Sequence, residues 1–262
     1  MKHNKKIKDS GGFIDEVHGF DGFNRFNKRK MCRITILGTI FVLSLILLCY
    51  SCIYYHAEAS AVSALVPNEE VAVTQTDYGY FFDGPSTENL YIFYPGAKVD
   101  EKAYAPLMRE LAEGGMDVFL VQMPLHFAIC APDRAGDILS QYHYDNTYIG
   151  GHSMGGAMAS LYASEHGDSL DGVILLASYP TKPLSDSLSE ISVYGSEDGV
   201  LDMDRLKECE ANAPERYYSR VIRGGNHAGF GNYGKQHRDN DALISSADQQ
   251  AETAEFILSH LQ

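Results

Sequence analysis

Read by the spacing of its apolar residues, the chain divides into one long unbroken run and a series of short ones. The long run is Ile34 to Tyr55, 22 residues without a charge, Pro or Asn, and a helix of that length rises about 30 Å, the thickness of a hydrocarbon core. Past residue 85 the runs shrink to strand size: Leu90–Tyr94, Asp117–Gln122, Thr147–Gly150, Gly172–Ala177, Ile191–Tyr194 and Arg220–Ile222. A hairpin is expected before them, within Val71–Phe82, divided at Asp77-Tyr78-Gly79. Between the strands the spacing turns helical. In "YAPLMRELAEGG" Leu107, Met108, Leu111 and Ala112 share one face, Pro106 suits a first turn and Gly114 stops the helix. A second helix puts Ala157, Met158, Leu161 and Tyr162 on one face and ends at Gly167. A third is expected from about Ala247 to Leu261, with Ser246 and Gln249 forming a capping box. Strands alternating with helices predict an α/β domain whose central sheet is mostly parallel and covered on both faces.

Charge divides the chain at the same place as hydropathy. Residues 1–33 carry nine Lys/Arg against four Asp/Glu, and residues 34–262 carry twelve against thirty-one. Arg25, Lys28, Arg29, Lys30 and Arg33 lie just before the apolar run, and no Lys or Arg follows it until Lys98. The positive-inside rule therefore predicts a basic cytoplasmic arm over 1–33 and a single transmembrane helix over 34–55 acting as a signal anchor. An extracellular tether over 56–75 and a globular domain over 76–262 are expected to follow. The alternative is secretion after cleavage, because Ala57-Glu58-Ala59 and Ala59-Ser60-Ala61 both resemble peptidase sites. A strongly acidic exported part argues against a nucleic-acid partner. Cys130 and Cys209 are the cysteines outside the span and its flanks, and two cysteines set no disulfide pattern. No His/Cys cluster has metal spacing, so no metal and no cofactor are expected.

Candidate chemistry centres on Gly151-His152-Ser153-Met154-Gly155, a G-x-S-x-G pattern between a predicted strand and a predicted helix. The glycines Gly151 and Gly155 allow a turn tight enough to leave the Ser153 hydroxyl standing clear. A serine hydroxyl is a weak nucleophile, so it needs a base, usually His, oriented by a carboxylate. Asp198 lies just past the Ile191–Tyr194 strand and is the favoured acid, with Glu197, Asp202 and Asp204 in reserve. His227, in the glycine-rich loop after the last strand, is the favoured base over His166, His237 and His260. Oxyanion donors are expected from the N–H of Met154 and from the loop after Leu90–Tyr94, where the Ala97 amide is favoured.

These segments, "FYPGAKVD", "YAPLMRELAEGG", "GGHSMGGAMAS", "YGSEDGV" and "GGNHAGFGNYG", in this order and spacing, resemble the alpha/beta-hydrolase superfamily. The resemblance is to its small lidless group related to dienelactone hydrolases, the fold-5 type, and spans about residues 90–262. It implies Ser153 as nucleophile, Asp198 as acid, His227 as base and Ala97 and Met154 as oxyanion donors. Dienelactone hydrolases use a cysteine nucleophile where this chain has serine, so the implied activity is that of a serine hydrolase. A small carboxylic ester is the leading substrate class, with an acyltransferase or peptidase using the same residues, and a non-catalytic binding module, as the rivals. Only Ser178 to Glu190 separates two strands where a helical cap could be inserted, too few residues for a cap domain. The mostly apolar loop Pro124–Asp137 is a candidate lining for the pocket, with Phe127 and Ile129 equally suited to the core.

Overall fold

A computed structural model describes residues 18–261, so the first half of the expected cytoplasmic arm lies outside the described residues. Helix α1 runs His18–Ser51. Within it Asn27–Tyr50 has a mean hydropathy of 2.3 and is long and apolar enough to cross a membrane. It ends four residues before the expected boundary at Tyr55, because a separate globular unit begins at Ser51 and takes in the two tyrosines. Tyr54 stacks on His126 with ring centroids 3.8 Å apart, and Tyr55 forms a parallel bridge with Val99.

The segment expected to be a loose tether is docked. Ala59–Ser63 forms a short helix, α2, in which Ala61 is completely buried. The Arg109 guanidinium then donates to the carbonyls of Ala64 and Val66, satisfying the helix's free end. Small side chains allow this close packing even though the segment reads as acidic and polar.

The hairpin consists of β1, Ala72–Thr76, and β2, Gly79–Asp83. The remaining strands are β3 Asn89–Tyr94, β4 Met116–Val121, β5 Asn146–His152, β6 Gly172–Leu176, β7 Ser189–Gly195 and β8 Arg216–Ile222. They form one eight-stranded sheet in the order β1-β2-β4-β3-β5-β6-β7-β8. The first two pairings are antiparallel and the other five parallel. Helices α3 Ala105–Glu113, α4 Arg134–Leu139, α5 Met154–His166, α6 Met203–Cys209 and α7 Ser246–Leu258 complete the unit.

Alternation along β3 shows how the two faces divide. Tyr91 and Phe93 pack with Leu107, Met108 and Leu111 of α3 and Phe256 and Ile257 of α7. Leu90, Ile92 and Tyr94 pack on the opposite face with Ala159, Tyr162 and Ala163 of α5 and Ile138 of α4. Each fully buried Leu, Ile or Phe stabilises the fold by about 2 kcal/mol, so both layers are needed. Among the described residues no helix or strand forms between β6 and β7, where a cap could be inserted.

Several boundaries moved: β5 and β7 extend beyond the expected Thr147–Gly150 and Ile191–Tyr194, and α7 stops at Leu258 rather than Leu261. β8 begins four residues before the expected Arg220, since its polar edge-strand face hides the alternation. The last helix is capped by Ser245 rather than Ser246: Ser245 Oγ accepts from Asp248 N–H at 3.1 Å. Gln249, the expected cap partner, lies inside α7 with its side chain buried against Asn226. Cys130 is exposed and Cys209 buried, and both are free thiols.

One buried charge site sits at odds with the apolar sheet. Glu190 on β7 is 2% exposed, and its Oε2 has no hydrogen-bond partner. Burial, with the Glu210 carboxylate second, raises its pKa from the ordinary 4.5 to about 8. A raised carboxylate favours folding below the unfolded value, and that contribution is lost as pH rises through the folded value. Glu190→Gln, which mimics the protonated acid, should therefore match the native protein near pH 4.5. By about pH 8.5 its melting temperature should exceed native by about 3 °C or more, as thermal unfolding across the range would record.

Candidate active site

Strand β5 ends at His152 and α5 begins at Met154, leaving Ser153 alone in the turn. Its backbone is at φ 53°, ψ −123°, a conformation that costs a non-glycine residue about 1–3 kcal/mol. Hydrogen bonds hold it there: Ser153 N–H donates to Leu176 O at 2.9 Å, and Ser178 Oγ donates to Ser153 O at 2.9 Å. The turn also presses on the end of β3. A Cβ on Gly151 or on Gly155 would lie 2.2 Å from Tyr94 O, so neither position has room for a side chain.

Asp198 follows the end of β7 by three residues, and its side chain is fully covered. Oδ1 accepts the N–H groups of Val200 at 2.8 Å and Leu201 at 2.7 Å. Oδ2 lies 2.8 Å from Nδ1 of His227, whose ring is 1% exposed. A carboxylate only accepts, so in the neutral form of the ring this bond puts the proton on Nδ1 and leaves Nε2 with its lone pair. That Nε2 is buried and has no protein partner. His227 and Ser153 line a single cavity of about 330 Å³, together with Met154, Ala157, Ser178, Tyr179, Val200 and Leu201.

Of the expected site residues, Ser153, Met154, His227 and, through its bond to His227, Asp198 come together. Ala97 does not line the cavity. Its neighbours Gly96 and Lys98 donate their N–H groups to the Tyr104 hydroxyl at 3.1 Å and to His126 O at 2.7 Å. Asp202 does line the cavity, but its Oδ1 caps α6 by accepting from Arg205 N–H at 3.0 Å. Glu197 accepts from the Ser196 hydroxyl, and Asp204 is exposed. Among the other histidines, His166 stacks on Tyr162, His260 packs on Phe256, and His237 is exposed. The loop Pro124–Asp137, a candidate lining, does not line the cavity. The Tyr94 hydroxyl accepts from Ala135 N–H at 2.7 Å and donates to Pro132 O at 2.9 Å, which draws this loop onto the sheet face.

Beneath the pair lies a second imidazole. His152 is buried, its Nδ1 is 2.9 Å from the Tyr104 hydroxyl, and its ring centroid is 4.5 Å from that of His227. Burial, and next the neighbouring His227 ring, hold it well below the ordinary imidazole range. His152 is therefore neutral at physiological pH and places no cation beside His227.

Two supporting residues, Gln249 and Asp239, were not legible as such. Gln249 accepts from Asn226 N–H at 3.0 Å and donates to Asn226 O at 2.8 Å, fixing the residue before His227. Asp239 accepts the N–H groups of Gly199, His227 and Ala228. The only available signal was the excess of backbone donors in "GGNHAGFG", which must find acceptors somewhere. Among the described residues no group of His, Cys, Asp and Glu has the arrangement of a metal site.

Comparison with solved structures gives the same architecture. Dienelactone hydrolase from Anabaena variabilis is 12% identical, with a TM-score of 0.54 over 75% of this chain and 99% of its own. Est1E from Butyrivibrio proteoclasticus is 14% identical, with a TM-score of 0.51 over 73% and 98%. A membrane phospholipase A described as a bacterial virulence factor is 11% identical, with a TM-score of 0.52 over 91% and 100%. No curated protein matches in sequence. A sequence model of the alpha/beta hydrolase family matches residues 90–251, from β3 into α7. With that match covering more than half its length, and with this sheet and turn, the chain belongs to the alpha/beta hydrolase family.

Proposed function

We propose that the globular unit hydrolyses carboxylic esters on the outer side of a membrane in which the N-terminal helix is anchored. The observation that carries this reading is the 2.8 Å bond from His227 Nδ1 to the covered carboxylate of Asp198, on a ring that shares a cavity with Ser153. With Nδ1–H committed, Nε2 serves as the base. It takes the Ser153 proton as Oγ attacks the ester carbonyl, and the carbonyl electron pair moves onto oxygen.

That oxyanion is met by the N–H of Met154, which as the first residue of α5 has no acceptor within the helix. The Ala97 N–H is the proposed second donor, brought in by the substrate's own carbonyl oxygen. Each such donor supplies about 3–4 kcal/mol in comparable sites. When the tetrahedral intermediate collapses, the C–O bond breaks and the alkoxide leaves with the proton from Nε2. Water then attacks the acyl-enzyme, losing its proton to Nε2, and the acid departs as Ser153 is reprotonated. Asp198 stays ionised throughout and holds the ring in the required tautomer.

A cavity of about 330 Å³ without a cap suits a short acyl group. Neighbours named dienelactone hydrolase and phospholipase A are in keeping with an ester bond.

The membrane reading draws support from the apolar Asn27–Tyr50 helix and its basic flank. The docking of residues 55–63 also favours retention, because cleavage after Ala59 or Ala61 would cut through or remove α2 and discard the bridged Tyr55.

A fluorophosphonate probe should label the protein, and Ser153→Ala and His227→Ala should each abolish labelling. Asp198→Asn should lower kcat by about 10³–10⁴-fold, since an amide favours the wrong tautomer. Undiminished labelling of Ser153→Ala would sink the assignment. For the anchor, the exported protein should keep its full mass of 29.0 kDa. Protease added to intact cells should degrade the hydrolase unit and spare an N-terminal tag, and a mature N-terminus within residues 58–62 would overturn retention.

A further inference from the structure

Tyr55, expected at the end of the membrane helix, and Glu58, expected in a loose tether, are bonded to His237 and Asn232 beside the proposed site. Tyr55 N–H donates to Lys98 O at 2.7 Å, and Tyr55 O accepts from Asp100 N–H at 2.9 Å. The residue is thereby paired to the backbone that follows Ala97. Its phenol oxygen accepts from His237 N–H at 3.0 Å, and its ring lies 5.6 Å from that of Tyr233. Glu58 N–H adds a bond to Asn232 O at 2.9 Å. The chain after the apolar helix is thus bonded to both sides of the sheet's carboxyl edge.

Two residues past His237 stands Asp239. Its Oδ1 accepts from Gly199 N–H at 3.0 Å and His227 N–H at 3.3 Å, and its Oδ2 accepts from Ala228 N–H at 2.8 Å. One carboxylate therefore joins the residue after Asp198 to His227 itself and to the residue after it. The loops approach closely where it does so: a Cβ on Gly199 would meet Arg238 O at 2.7 Å. Both loops are irregular backbone, and ordering each such residue costs about 1–2 kcal/mol in entropy. Glu197 N–H to Gly225 O at 2.8 Å and Gly224 N–H to Ser196 Oγ at 2.9 Å join the loops near their strands, and Asp239 adds the tie beside Asp198 and His227 themselves.

We infer that Tyr55 and Asp239 are positioning residues of the hydrolase site. Asp239 fixes the loop of Asp198 against the loop of His227, and Tyr55 fixes the Asp239 loop against the backbone after β3. Neither touches substrate. The inference rests on the ester-hydrolase reading and adds to it: the segment next to the membrane helix is part of the frame that sets the site's geometry. A displacement of about 1 Å at a reacting group costs about 100-fold in rate, so partial loosening has a measurable effect.

The test uses the full-length protein in detergent as native, Tyr55→Phe, Asp239→Asn and the surface control Lys235→Ala. Active sites are titrated with a fluorophosphonate, and kcat per titrated site, KM and melting temperature are measured with a short p-nitrophenyl ester. Tyr55→Phe keeps the ring and both backbone bonds and should lower kcat per site by about 3–10-fold, and Asp239→Asn by about 10–100-fold, with KM within about twofold. The double variant should lose little more than Asp239→Asn alone, because the two residues act through one loop. Hydrogen exchange should rise in residues 195–201 and 223–231 of both variants and stay native in Lys235→Ala. A role in folding alone would lower the titratable fraction and the melting temperature while kcat per site stayed native, and that outcome overturns the inference. Unreactive native protein would instead sink the hydrolase reading and the inference with it, whereas active variants with native kcat and exchange sink the inference alone.

Discussion

Everything at this site follows from one close contact, that of the Ser153 turn with the carboxyl end of β3. Two backbones meet there with no room for a Cβ at Gly151 or Gly155, both facing Tyr94 O. The contact is possible only if β5 lies beside β3 in parallel, so that both strands end at the same edge. Once that edge is set, the loops after β7 and β8 open onto it as well. The strain in Ser153, about 1–3 kcal/mol, is tolerable because a sheet buried on both faces supports it from below.

Polar groups at this edge work by limiting one another. Asp198 spends one oxygen on two backbone N–H groups and the other on His227, so it has a single orientation. His152 is held neutral by burial and engaged by the Tyr104 hydroxyl, which in turn accepts from Gly96 N–H. That chain links the elbow, the loop after β3 and the residue that precedes α3 without adding charge near His227. Glu190 is the contrast: it is buried beneath the far end of β7 with no such partners, and its carboxyl group is best kept protonated.

The organisation of the chain fits this division of labour. An apolar helix with a basic flank is followed almost at once by residues that pair into the globular unit. Hydropathy alone assigns Tyr54 and Tyr55 to the helix, since tyrosine is common at an interface. Aromatic stacking on His126 and the bridge to Val99 assign them to the domain.

Local sequence was enough to determine most of the framework. Strand and helix positions followed from period and stops, and the ends of β5, β7 and β8 placed Ser153, Asp198 and His227 each just past a strand, because side-chain alternation and glycine stops are local properties. Tertiary structure alone decided what depends on distant backbone. It drew Pro124–Asp137 onto the sheet through Tyr94, left Ala97 outside the cavity lining, and moved the last cap to Ser245 while Gln249 went to Asn226. It also turned a polar run into the carboxylate that joins two loops. A backbone N–H donates to any carboxylate that can reach it, so which Asp answers which loop is a matter of three-dimensional distance that spacing along the chain does not encode.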